Sequence, residues 1–138
     1  KKGPDGKLAI TMPMGDKKLP GIAAADIGKC ALGIFKAGQK YIGKTVGIAG
    51  EHITGKQMAD GFTRVLGREV VYNDIPPEIY RSFGFPGAED MGNMFQFKRD
   101  FENEYCKSRD VEMSKALNPS LLSFDKWLNQ NKERIPLE

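Results

Sequence analysis

Histidine occurs once and cysteine twice in these 138 residues. That scarcity excludes a metal or redox centre built from several such ligands. Cys30 and Cys106 stand far apart, neither lies in a CxxC or Cys/His spacing, and His52 has no second ligand at helical spacing. Both cysteines are expected to be reduced, structural thiols, a usage that favours a cytoplasmic setting and is compatible with a nuclear one. No apolar run approaches the roughly 20 residues that a membrane helix needs, and no signal peptide is expected. Arginine is absent from the first 44 residues, where nine lysines face three aspartates, although the whole chain is only +3. Phosphate and base-edge recognition favours the bidentate arginine fork, so this lysine-only portion reads as a solvated face and direct nucleic-acid binding is not expected. A GxGxxG pattern is also missing, which leaves no usual fingerprint for a dinucleotide.

What is present is a set of well-punctuated elements. Thr45-Val46-Gly47-Ile48-Ala49 reads as a strand covered on both faces, followed by a helix and a second β-branched run, Glu69 to Tyr72. The helix start is specified twice. Thr54 and Gln57 form a capping box, Ile53 and Met58 a staple, and Met58, Phe62, Val65 and Leu66 one apolar stripe that Gly67 ends. Upstream, Lys7 to Met12 and Lys17 to Ile22 read as a β-hairpin around Gly15-Asp16, and Asp26 as the cap of a helix with the stripe Ile27, Ala31, Ile34, Phe35. Downstream, Pro76-Pro77 opens a short helix with Ile79, Tyr80 and Phe83, and Phe85-Pro86-Gly87 is a turn. A helix from Ala88 to about Tyr105 follows, then an ambiguous segment Val111 to Leu117, and a last helix that Ser123 caps and the lone Trp127 anchors. Met91, Met94, Phe95, Phe97 and Phe101 spread over more than one helix face. With Tyr80 and Phe83 they are candidates for a partner or substrate groove, the other reading being plain core.

Two stretches match the phosphate-loop pattern as text. Gly38 to Thr45 fits GxxxxGK[ST] in full but follows a helix and enters a predicted strand, the reverse of what the chemistry needs. Gly50 to Gln57 has the right context, yet Gln57 replaces the metal-binding hydroxyl and Glu51 puts negative charge where phosphate would sit. A phosphate-binding module using Lys44 or Lys56 is therefore a third-rank reading. Glu89, Asp90, Glu102 and Glu104 read as solvated faces, and His52 as a turn residue. No catalytic, cofactor-binding or metal residue is assigned.

Several pieces, taken in order, resemble a known family: Ala25-Asp26-Ile27-Gly28, Gly50 to Thr54, Val65 to Tyr72, Phe83 to Ala88 with Asn93-Met94-Phe95, and Leu117-Asn118-Pro119 with Trp127-Leu128. Residues Pro4 to Lys132 are similar to the C-terminal portion of NmrA-like proteins, atypical members of the short-chain dehydrogenase/reductase superfamily. The resemblance implies an α/β fold, few short strands with about four to five helices, forming the C-terminal lobe of a Rossmann-type protein whose N-terminal dinucleotide-binding half is absent. It further implies an NADP(H)-sensing, non-catalytic regulator of transcription that acts through a protein partner, with the main NADP site outside this chain. The alternative is the substrate lobe of an NADP-dependent oxidoreductase. On this reading the chain is a fragment, entered through a turn at Lys1 to Gly6, and could pair with a second copy as a homodimer.

Overall fold

The computed structural model describes residues 6–136, so the predicted entry turn lies, but for Gly6, outside the described residues. Among the described residues, four strands form two separate two-stranded sheets. Strand β1 (Leu8–Met12) runs parallel to β4 (Val70–Asp74), with Leu8 opposite Val70 and Met12 opposite Asp74. Strand β2 (Lys18–Gly21) runs antiparallel to β3 (Glu51–Thr54), with Gly21 opposite Glu51. The described residues also form seven α-helices: α1 (Ala24–Lys36), α2 (Gly55–Leu66), α3 (Pro77–Arg81), α4 (Ala88–Asp100), α5 (Glu102–Lys107), α6 (Val111–Leu117) and α7 (Phe124–Asn131). The expected four to five helices are exceeded because Val111–Leu117 is helical, capped by Asp110, and because the predicted long aromatic helix is two. It breaks at Phe101, whose φ of −115° and ψ of 38° leave the helical region.

Helix α2 forms as its sequence dictates. The Thr54 side chain accepts from the Gln57 N–H, Gln57 reaches back to the Thr54 N–H at 2.8 Å, and Gly67 ends the helix in the left-handed region at φ 63°. The strands around it pair differently from expectation. The two N-terminal runs are strands but not a hairpin. After Met12 the chain turns through Pro13 and Met14, both fully buried, and the Gly15 N–H donates to Asp74 Oδ1 at 2.8 Å, which fixes this turn on the end of β4. Each run thus takes a distant partner. Thr45 to Ala49 is not a strand at all. A methyl group at Gly47 would overlap the Ser108 carbonyl, and the Ala49 N–H donates to Ser114 Oγ at 2.9 Å, so the segment lies on the loop before α6 and on α6 itself. The strand that enters α2 is Glu51–Thr54, and it shares no sheet with β4. No single strand-helix-strand sheet therefore exists here.

Helix α1 also turns another face inward. Its buried residues are Asp26 and Cys30, and Gly33 sits so close to the Leu117 backbone that no side chain would fit. The predicted stripe is left largely outside, with Ile27 exposed and Phe35 at 80%. Close approach of α1 to α6 needs small side chains, and that requirement outweighs the larger apolar area of Phe35. Away from α1, Met14, Tyr80 and Phe95 form a buried hydrophobic cluster, with Met12, Leu19 and Ile75 packed on it. Phe95 and Tyr80 meet edge to face at 5.4 Å.

Candidate functional site

The loop between Asn118 and α7 is held by two carboxylates from far along the chain. Asp26 is fully buried in the first turn of α1; its Oδ2 accepts from the Leu122 N–H at 2.8 Å and its Oδ1 from Asn118 Nδ2 at 3.1 Å and Lys29 Nζ at 2.9 Å. It is not the cap of α1, a position that Ala23 holds. Burial alone would raise its pKa, but the Leu122 N–H, Lys29 and Asn118 outweigh that and hold the carboxyl below its ordinary value. Two residues on, the Phe124 N–H donates to Glu51 Oε2 at 2.8 Å. Between these ties an apolar cleft of about 310 Å³ opens, walled by Ile22, Ile53, Met58, Leu122, Phe124 and Trp127, with Glu51 as the charged residue of its lining. A polar recess of about 240 Å³ adjoins it, sharing Glu51, Ile53 and Phe124 and adding Asp60, Arg64 and Asp125. Neither Asp26 nor Glu51 was picked out by sequence as a structural tie. The available signal was a carboxylate flanked by small apolar residues, which is weak.

The seven groove candidates do not act as one surface. Tyr80 and Phe95 are buried in the core, while Phe83, Met91, Met94, Phe97 and Phe101 are exposed. Helical geometry separates them. Ala88, Gly92 and Phe95 form the inner face of α4, and Gly92 lies against the Arg81 side chain, which leaves no room for a larger residue. Met91, Met94, Phe97 and Phe101 form the opposite, solvent-facing stripe, in which the rings of Phe97 and Phe101 lie 5.0 Å apart.

The groups that sequence reading weighed for chemistry are otherwise engaged. His52 lies in β3, not in a turn, and its Nε2 is 2.7 Å from the Arg109 carbonyl. Burial and then Asp26 push the Cys30 thiol up, burial and then Glu102 push up Cys106, and both remain free cysteines. Burial and the neighbouring Asp74 push Tyr72 up to about 12. Glu102 is no solvated side chain, since its Oε1 accepts from the Lys18 N–H at 2.6 Å. The full phosphate-loop match, Gly38 to Thr45, follows α1 as expected but runs through a 3-10 turn into irregular chain, without a strand. In the second match Lys56 is paired with Asp60 at 2.7 Å.

The model of the NmrA-like family matches residues 1–128. This chain belongs to the NmrA-like family. The match takes in nearly all of the chain and does not single out a C-terminal portion, so the expectation of a C-terminal lobe lacking its dinucleotide-binding half is withdrawn, and with it the function built on that lobe. Prestalk A differentiation protein A of Dictyostelium discoideum is 27% identical over 104 residues, 70% of this chain and 34% of that protein. NmrA, described as a negative transcriptional regulator and solved in complex with NADP, superposes with a TM-score of 0.72 at 20% identity, over 94% of this chain and 44% of its own. A triphenylmethane reductase of Citrobacter sp. gives 0.73 at 17% identity, over 91% and 44%. The chain thus spans about a third of that curated relative and under half of these structures. At such identities the likeness establishes the fold. Because the NADP-bound structure aligns with 94% of the chain, the placement of the main NADP site outside it is withdrawn as well.

The strand-to-helix turns among the described residues do not fit a pyrophosphate. At β3–α2 the first-turn N–H of Gln57 is taken by the capping box, and Gly55 is small because the Tyr72 ring lies against it. At β2–α1 the Glu51 carboxyl-bearing residue stands opposite Gly21, and at β4–α3 Pro76 and Pro77 have no N–H to offer.

Proposed function

We propose that this NmrA-like chain works by docking and not by chemistry of its own, that the exposed stripe of α4 is the docking surface, and that a second copy of the chain is its occupant. The observation that carries this is the charge pattern along the stripe. Asp90, exposed, precedes Met91 and Lys98, half-buried, follows Phe97 on α4, eight residues and roughly 12 Å apart at 1.5 Å per residue. Neither takes part in an ion pair among the described residues, and Lys98 Nζ lies over the rings of Phe95 and Tyr105. Laid antiparallel about Met94, two copies of α4 set each Asp90 against the other's Lys98 and bury the methionines and phenylalanines between them. A two-fold contact of this kind is self-complementary and closes on itself. Methionine beside phenylalanine gives an adaptable apolar face suited to such an interface. The family member described as a negative transcriptional regulator supports a regulatory setting.

Sedimentation velocity across a concentration series tests the reading. A monomer-dimer equilibrium is expected, weakened at least tenfold by Phe97→Glu and by Lys98→Asp alone, and restored when Lys98→Asp is combined with Asp90→Lys. A monomer at every concentration, or a double variant no better than the single ones, would overturn it.

A further inference from the structure

We infer that the cleft between β3, the start of α1 and α7 is a binding site for a small organic cation, an aromatic or alkyl body carrying a protonated amine. Its body would lie on Ile22, Met58, Leu122 and the rings of Phe124 and Trp127, and its charge against Glu51. The walls are nearly all apolar, and a cavity of about 310 Å³ is within the size range of small-molecule sites. The choice of charge follows from the surrounding ion pairs. Four carboxylates stand on the cleft, its adjoining recess or the loop that roofs it. Asp26 has Lys29 at 2.9 Å, Asp60 has Lys56 at 2.7 Å and Asp125 has Arg64 at 2.6 Å. Glu51 has no cation among the described residues; one of its oxygens accepts the Phe124 N–H, and no other hydrogen bond to this carboxylate is seen among them. The excess negative charge of the site is therefore Glu51. Aromatic faces add to the attraction for a cation, and Phe124 and Trp127 supply two beside it. The first turns of α1 and α7 favour anions, but each already has its own carboxylate, Asp26 in α1 and Asp125 in α7, and Glu51 holds the α7 N–H directly. An anionic ligand would meet an unpaired carboxylate in the lining, and a neutral one would leave that charge unanswered.

Trp127 is the only tryptophan, so its emission reports on this cleft. Three probes that share a phenyl ring on a four-carbon chain separate the outcomes: 4-phenylbutylamine, protonated at neutral pH as a lysine side chain is, 4-phenylbutanol and 4-phenylbutyrate. Titrations followed by Trp127 emission and by calorimetry should give at least tenfold tighter binding of the amine than of the alcohol, with the carboxylate weakest. Glu51→Gln keeps an oxygen for the Phe124 N–H, and should bring the amine to the alcohol's affinity while leaving the alcohol's unchanged. Met58→Lys, which leaves Glu51 in place and supplies the cation it lacks, should likewise abolish the preference for the amine. Equal affinities for the three probes, no binding of any, or an amine preference that survives both variants would overturn the assignment.

Discussion

Asp26 shows how much one side chain can hold. Its two oxygens bind three donors that lie on its own helix, on Asn118 and on the Leu122 backbone, and so join residues almost a hundred positions apart. Asp26→Asn keeps the size but turns one acceptor into a donor facing another donor. Leaving such a buried group unsatisfied costs about 1–3 kcal/mol, and more where charge was involved. The sign of the pH dependence follows from the direction of the shift. The folded-state carboxyl ionises below the unfolded value of 3.8, so the stabilisation is fully present above that value and is lost as the pH falls through the folded-state pKa. Urea midpoints of wild type and Asp26→Asn should therefore differ at pH 7 and converge below pH 4. A gap that stayed constant into acid would show that the carboxylate's charge is not what holds the loop. Sequence alone marked Asp26 as a helix cap, because an aspartate before an apolar stripe usually is one. What it missed is that Ala23 suffices at the boundary, so the carboxylate was free to reach across the fold.

At the scale of elements, local signals were legible and long-range ones were not. Helix α2 has every device that its sequence advertised, from the capping box to the left-handed Gly67. Thr54→Ala removes one acceptor of that box and should cost about 1 kcal/mol; thermal melts should show a lower midpoint, and Thr54→Ser should recover most of it. Strand β3 is the opposite case. Glu51-His52-Ile53-Thr54 has one apolar residue and no β-rich run, and it is a strand because Lys18–Gly21 lies beside it. Its neighbour Thr45-Val46-Gly47-Ile48-Ala49 has the better strand composition, yet Gly47 packs against the Ser108 carbonyl and the Ala49 N–H donates to Ser114 Oγ instead. The groove candidates divide for a reason visible in hindsight. On α4 the small residues Ala88 and Gly92 mark the face that packs closely, Phe95 falls on it, and Phe97 falls on the other. Composition draws attention to this helix, but only the spacing of the small residues separates its core face from its surface.

For the whole molecule, the question is whether its two sheets and seven helices unfold together. Helix α7 decides it, since it is the last long element and closes the cleft. Leu128 is fully buried, and its methyl group lies where Gly61 of α2 leaves space, so α7 rests on the same helix that carries β3 at one end and leads to β4 at the other. Parallel pairing of β4 with β1 then extends the connection to the start of the described chain. One core running through α2 should lose its parts in a single transition. Leu128→Ala opens a void at this junction and should cost about 2–5 kcal/mol. In urea, the emission of the adjacent Trp127 and the far-ultraviolet circular dichroism of all seven helices should move together, in wild type and variant alike, with the variant's midpoint lower. If the tryptophan signal changed first, α7 would be a separately docked unit, and the cleft between it and β3 would open without unfolding the rest.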